Sequence, residues 1–208
     1  MARPPQADSE RTINAILDAT EQLCGEKNID AIKISDIARD AGVAPSTVYH
    51  YFCNREGLWD ACLDRLRRDA EQTNAGLLPK VQAAMFDPTS LGRCARDIYR
   101  FVRSRRGAVR MRLRDALSRG DFDLEDYGEF FVPFLKQVIE DDVLRLRAAV
   151  ALRGLMLWIL RYGSAADRDL VALAGNSEVR SVEEIHQIIE DFIADSAERL
   201  LSTTLQRA

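Results

Sequence analysis

The side chains best suited to chemistry in this chain crowd into one stretch, "AGVAPSTVYHYFCNR" (41–55). Ser46, Thr47, Tyr49, His50 and Tyr51 supply hydroxyls, phenols and an imidazole within less than two turns of a helix. Groups of this kind hydrogen-bond to phosphate oxygens and to the edges of bases. Other chemistry is hard to assemble. His50 and His186 are the two histidines, and Cys24, Cys53, Cys62 and Cys94 form no CxxC pair. Neither a metal cluster, a nucleophile–base pair nor a glycine-rich phosphate loop follows from these spacings. No metal, no cofactor and no enzymatic activity are therefore expected.

The elements that must hold that stretch are short helices. Residues 1–8 read as a flexible arm. From Ser9 a helical period places Ile13, Ile16, Leu17, Thr20, Leu23 and Cys24 on one face, and Asn28 is suited to end that helix in the left-handed conformation. A shorter face follows at Ile34, Ile37, Ala38 and Ala41, closed by Gly42. Val43 plugs the turn and Pro45 opens the next helix, which turns Val48 and Phe52 inward. Asn54 caps a longer helix, read over 54–75, with Leu58, Cys62 and Leu66 on one stripe and Trp59 beside it. With its inward positions taken by Val48 and Phe52, the segment beginning at Pro45 presents its polar tips outward. Its N-terminus offers backbone N–H groups and a partial positive charge to a phosphate, and Arg55 stands ready to clamp a nucleic-acid backbone.

Ala, Leu, Arg and Glu are common and glycines few among the 208 residues, which favours an all-α fold. The remaining helices are expected near 90–105, 107–118, 126–140, 142–162 and 182–205. The longest nearly uncharged run, "AAVALRGLMLWIL" (148–160), is too short to span a bilayer and carries Arg153, and the N-terminus has no apolar signal region. A cytoplasmic protein without membrane contact is expected. Charge is uneven: residues 1–60 hold 6 basic and 10 acidic side chains, 61–120 hold 14 and 6, and 121–208 hold 9 and 17. The first segment is acidic as a whole, yet residues 41–55 contain one arginine and no acid, so a neutral-to-positive face fits there.

Residues 15–64, "AILDATEQLCGEKNIDAIKISDIARDAGVAPSTVYHYFCNREGLWDACLD", resemble the N-terminal domain of TetR-type transcriptional regulators, most tellingly in "DIARDAGV", "STVYHYF" and "NREGLW". The resemblance implies a three-helix DNA-binding domain over 9–60, with the helix-turn-helix at 33–52 and recognition helix at 45–51. A larger helical regulatory and dimerisation domain would follow over 61–208. It also implies base-edge contacts from Pro45, Ser46 and Tyr49, and phosphate contacts from Thr47, His50 and Tyr51. Arg55 takes the place of a phosphate-binding lysine. Ala44 and Lys33 stand where Ser and Thr are usual. Losing those capping hydroxyls weakens each helix start by about 1 kcal/mol, which Lys33 offsets if it meets a phosphate.

Two well-formed helices, 142–162 and 182–205, are similar to the pair with which TetR-type regulators dimerise. Leu155, Ile185, Ile189, Phe192, Ser196 and Leu200 are the expected interface residues. A homodimer would read a palindromic operator in double-stranded DNA. Aromatic and thioether side chains at Phe101, Met111, Tyr127, Phe131, Phe134, Trp158 and Tyr162 are the candidates to line a pocket; the resemblance implies that it holds a small, largely apolar effector whose binding shifts the helix joining the domains and releases DNA. Arg93, Arg96, Arg100 and Arg103, at 3–4–3 spacing, are expected to pair with the acidic run 121–129, the alternatives being an anionic effector or a supplementary DNA contact. A rival reading makes the Tyr/His face a docking surface for a protein; the steep salt dependence of DNA binding separates the two.

Overall fold

The computed structural model describes residues 5–84, 87–119, 139–175 and 181–205. Among them there is no strand, and the architecture is all-α as composition and periodicity lead one to expect. The helices are α1 (Pro5–Glu26), α2 (Ile34–Asp40), α3 (Pro45–Phe52), α4 (Arg55–Ala84), α5 (Pro88–Ser104), α6 (Arg106–Arg119), α7 (Asp142–Gly163), α8 (Asp167–Ala174) and α9 (Val182–Leu205). The chain divides into two compact units. One takes in α1 to residue 70 of α4 together with residues 105–115; the other holds the rest. The helix expected over 54–75 thus runs on to Ala84 and belongs to both units along its length.

The first unit is built around Ile16, Leu17, Leu23, Cys24, Ile37, Val48, Leu58 and Cys62, all buried. Burying each large side chain stabilises by roughly 1.5–3 kcal/mol. Gly42, at φ +70°, makes the tight reversal between α2 and α3, and Val43 packs half-buried against the core. Asn54 caps α4 by accepting the Gly57 N–H at 2.7 Å. Asn28 behaves differently from expectation. It is extended (φ −66°) and caps a short 3-10 turn, Ile29–Ala31, by accepting the Asp30 N–H, because the chain needs a turn there before α2 rather than a left-handed stop.

In the second unit α9 packs against α5 and α7. Val102, Leu152, Ile159, Leu160, Ile193 and Ala197 are buried there. The basic stripe on α5 is consumed within this unit. Arg96 reaches Asp191 at 2.9 Å, Arg100 reaches Glu190 at 2.8 Å and Arg103 reaches Glu183 at 2.8 Å, all three acids lying on α9. The expected partners at 121–129 lie outside the described residues, as does most of the helix expected at 126–140. His186 is buried and its Nδ1 lies 2.6 Å from the Tyr99 hydroxyl, so this histidine helps to hold α9 to α5. Helix α8 was not anticipated from the sequence.

Candidate nucleic-acid interface

Helix α3 is short because Ala44 and Pro45 open it and Cys53 ends it at φ 60°. Val48 is buried and Phe52 half-buried against the first unit's core, which orients the rest of the helix. Pro45, Ser46, Tyr49 and His50 face solvent, Tyr49 being 51% exposed, and Thr47 is half-buried. Tyr51 is also half-buried, packing against the core with its ring edge-on to His50 at 5.1 Å. Among the described residues, no side chain of Ser46, Thr47, Tyr49, His50 or Tyr51 makes a hydrogen bond within the chain. The polar tips on this helix are thus available to an outside partner.

The two helix starts lack side-chain caps at Lys33 and Ala44. Asp36 partly repairs the first by accepting the Lys33 N–H, while the Lys33 side chain stays exposed at the start of α2. The start of α3 keeps its partial positive charge uncovered. Arg55 is directed inward: its Nη2 donates to the Ile29 carbonyl at 2.6 Å and its guanidinium lies 4.7 Å from the Trp59 ring. It fastens α4 to the turn before α2, so only its remaining donors can meet a phosphate.

The same unit holds a charge hub centred on the buried Glu21. Glu21 accepts from Arg65 Nε and Nη2 (2.9 and 2.6 Å) and from Arg105 Nη2 (2.9 Å). Arg65 also holds Asp18, and Arg105 also holds Asp69. Burial pushes the Glu21 carboxyl above its ordinary range, opposed by the hydrogen bond and charge of Arg65 and the charge of Arg105. Gly107 lies so close to α1 that a Cβ there would stand 1.8 Å from the Glu21 carbonyl oxygen. Arg110 donates to the Gly25 and Lys27 carbonyls at the end of α1, where a cation is favoured, and Arg114 pairs with Asp30. Residues 105–115 are thereby part of the first unit's own framework. Burial pushes the Cys24 thiol up to about 12 and that of Cys62 higher still, so both stay protonated and act as core side chains.

Among the described residues, the candidates for an effector pocket are spread over different places. Met111 belongs to the core of the first unit, because residues 105–115 pack there, and so cannot line a cavity in the second. Trp158 is 46% exposed and stacks on Phe192 at 5.0 Å, with Tyr162 edge-on at 5.6 Å, which puts it on an outer face rather than in an enclosed pocket. Phe101 is half-buried, and Tyr127, Phe131 and Phe134 lie outside the described residues. Of the residues expected at a subunit interface, Ile185 and Ile189 are buried within the chain, Leu155, Ser196 and Leu200 are half-buried, and Phe192 is exposed. An outward apolar stripe is made of Val143, Leu146, Val150 and Leu157 on α7 with Ile188 and Phe192 on α9, Phe192 being among the expected residues.

Residues 16–62 match the family model for the N-terminal domain of bacterial regulatory proteins of the tetR family. The chain is 40% identical over 60 residues to the HTH-type transcriptional regulator BetI of Rhizobium meliloti (strain 1021), covering 27% of this chain and 30% of that protein. It is 38% identical over 58 residues to the HTH-type transcriptional regulator AlkX of Mycobacterium tuberculosis, covering 27% of this chain and 28% of that protein. These matches therefore span less than a third of the length of either relative. A solved structure from Mesorhizobium loti MAFF303099, assigned to the TetR family of transcriptional regulators, superposes with a TM-score of 0.53 at 20% identity over 94% of this chain and 97% of that one. Its fold extends the likeness beyond the N-terminal third.

Proposed function

We propose that the chain, whose residues 16–62 match the family model for bacterial regulatory proteins of the tetR family, is a DNA-binding transcriptional regulator of that family, acting as a homodimeric repressor that a small ligand releases. The observation that carries the reading is the solvent edge of α3, whose hydroxyl, phenol and imidazole groups are unengaged and whose flanks carry no acid from 41 to 55. Helix α3 enters the major groove with Ser46 and Tyr49 at base edges and Pro45 in apolar contact beside them. Thr47, His50, Tyr51 and Lys33 meet phosphates. One eight-residue helix reads few base pairs; a twin related by a two-fold axis doubles the site into a palindrome.

The outer stripe of α7 and α9 supports the homodimer. Val143, Leu146 and Val150 are each more than 60% exposed, and a contiguous apolar face of this kind is covered by a partner in stable proteins. Ligand release runs through residues 105–115 and the Glu21 hub. A largely apolar effector in the second unit displaces α6, strains the Arg105–Glu21–Arg65 ties, and changes the setting of α4 and hence the spacing of the two recognition helices.

The test is binding of the full chain to a labelled oligonucleotide enriched from a random pool. The reading expects affinity that falls steeply between low and moderate salt. Binding of a protein partner with little salt dependence, and no DNA enrichment, would replace it with the docking-surface alternative.

A further inference from the structure

Between the N-terminal half of α7 and the C-terminal half of α9 lies an open groove of about 460 Å³. Its floor is apolar, two alanines between two leucines: Leu144, Ala148, Ala151 and Leu200. On its rim stand Arg147 and Arg199 with the hydroxyl residues Ser196 and Thr203. Arg96, Arg100 and Arg103 of α5 are neutralised by carboxylates on α9, whereas the Arg147 and Arg199 guanidiniums have no acidic partner among the described residues. On α7 the groove positions 144, 147, 148 and 151 lie roughly a third of a turn away from the stripe of Val143, Leu146 and Val150. On α9, by contrast, Ser196, Arg199 and Thr203 continue the face of Ile188 and Phe192, so a second copy docked on the stripe borders the groove along that rim.

We infer that this groove binds a small amphiphilic carboxylate, its head held by Arg147 and Arg199 and its alkyl tail laid over Ala148, Ala151 and Leu200. Guanidinium and carboxylate match as a planar, bidentate pair. Ser196 donates a hydroxyl to the same head, while the Thr203 hydroxyl is already spent on the Arg199 carbonyl. The volume suits one small molecule. A purely apolar ligand would leave two cations facing it, and a polar anion such as phosphate would gain nothing from the alanine-lined floor. Charge and surface together select a molecule with both properties. The site is separate from α3 and from the DNA reading, so its test needs no DNA.

The experiment is calorimetric titration of the full chain with octanoate, with 1-octanol as the uncharged control. Saturable binding of one octanoate per chain is expected, with octanol at least tenfold weaker. Arg147→Ala with Arg199→Ala should weaken octanoate more than tenfold, and Ala151→Trp should abolish binding by filling the floor, both with unchanged helicity by circular dichroism. Three results would overturn the inference: no saturable binding of octanoate; equal binding of octanol; or octanoate binding that survives both variants and so occurs elsewhere. A change in the association state of the arginine variant without any octanoate binding would also overturn it, assigning the groove to a second copy of the chain.

Discussion

The two units solve the same problem of covering helices in different ways. The first is closed upon itself: Ile16, Ile37, Val48, Leu58 and Cys62 form one core, and Arg55, Arg65, Arg105 and Arg110 are turned to carboxylates or carbonyls of the same unit. What it leaves outside is polar and concentrated on α3. The second unit neutralises its α5 arginines equally well but leaves apolar side chains in water along α7 and α9. The contrast separates two kinds of unfinished surface. A polar, unengaged helix edge calls for a hydrogen-bonding partner, and an exposed apolar stripe calls for another protein surface.

The strongest way to break the comparison is to reopen the first unit. Gly107→Val should destabilise it by about 3 kcal/mol, because the new side chain meets the Glu21 backbone rather than a flexible tip. Urea unfolding followed by circular dichroism checks this. An unchanged midpoint would mean that residues 105–115 do not dock on α1. Next, Phe192→Asp places a charge in the apolar stripe and should weaken self-association by about 2 kcal/mol or more while the monomer stays helical; sedimentation equilibrium reads the outcome. A tight dimer after that change would remove the stripe from the interface.

Smaller effects sharpen the account of α3. Tyr49→Ala and Thr47→Ala should each reduce affinity for the selected operator by roughly tenfold, in line with about 1–3 kcal/mol per lost contact, without altering thermal stability or association. Val48→Ala, by contrast, should act through stability, since Val48 is buried. The smallest effect concerns pH. The Glu21 carboxyl is raised in the folded state, so its contribution to stability is fully present below the unfolded pKa and is lost as pH rises through the folded value. Glu21→Gln should flatten that part of the urea midpoint's pH profile; an identical profile in variant and wild type would show that the hub does not titrate differently on folding.

Much of the first unit was legible in the sequence because its signals are local. Gly42, Val43, Pro45, the Val48/Phe52 spacing and the Asn54 cap each act within a few residues, and each is found where it was expected. The long periods of α7 and α9 were equally readable. What failed to show was tertiary. Met111 looked like a pocket residue because nothing near it in sequence reveals that residues 105–115 pack beside α1. Gly107, set between Arg106 and Ala108 at the start of an arginine-rich helix, was the available hint of close approach. Arg96, Arg100 and Arg103 of α5 pair with acids on α9, 80 to 95 residues on, which no local spacing announces, while the acidic run 121–129 lies outside the described residues. Arg55 likewise turns inward, drawn by a carbonyl 26 positions earlier. Helix α8 has eight residues, too few for a period to stand out, although Asp167 and Asp169 in its first turn and Gly175 after it marked both ends.

The most direct measurement is selection from a random pool of double-stranded DNA at low ionic strength, followed by salt titration of the enriched sequence. The account predicts an inverted repeat, bound by two chains, with log affinity falling linearly against log salt as several phosphates are engaged. Failure to enrich any symmetric sequence, or binding indifferent to salt, would contradict it.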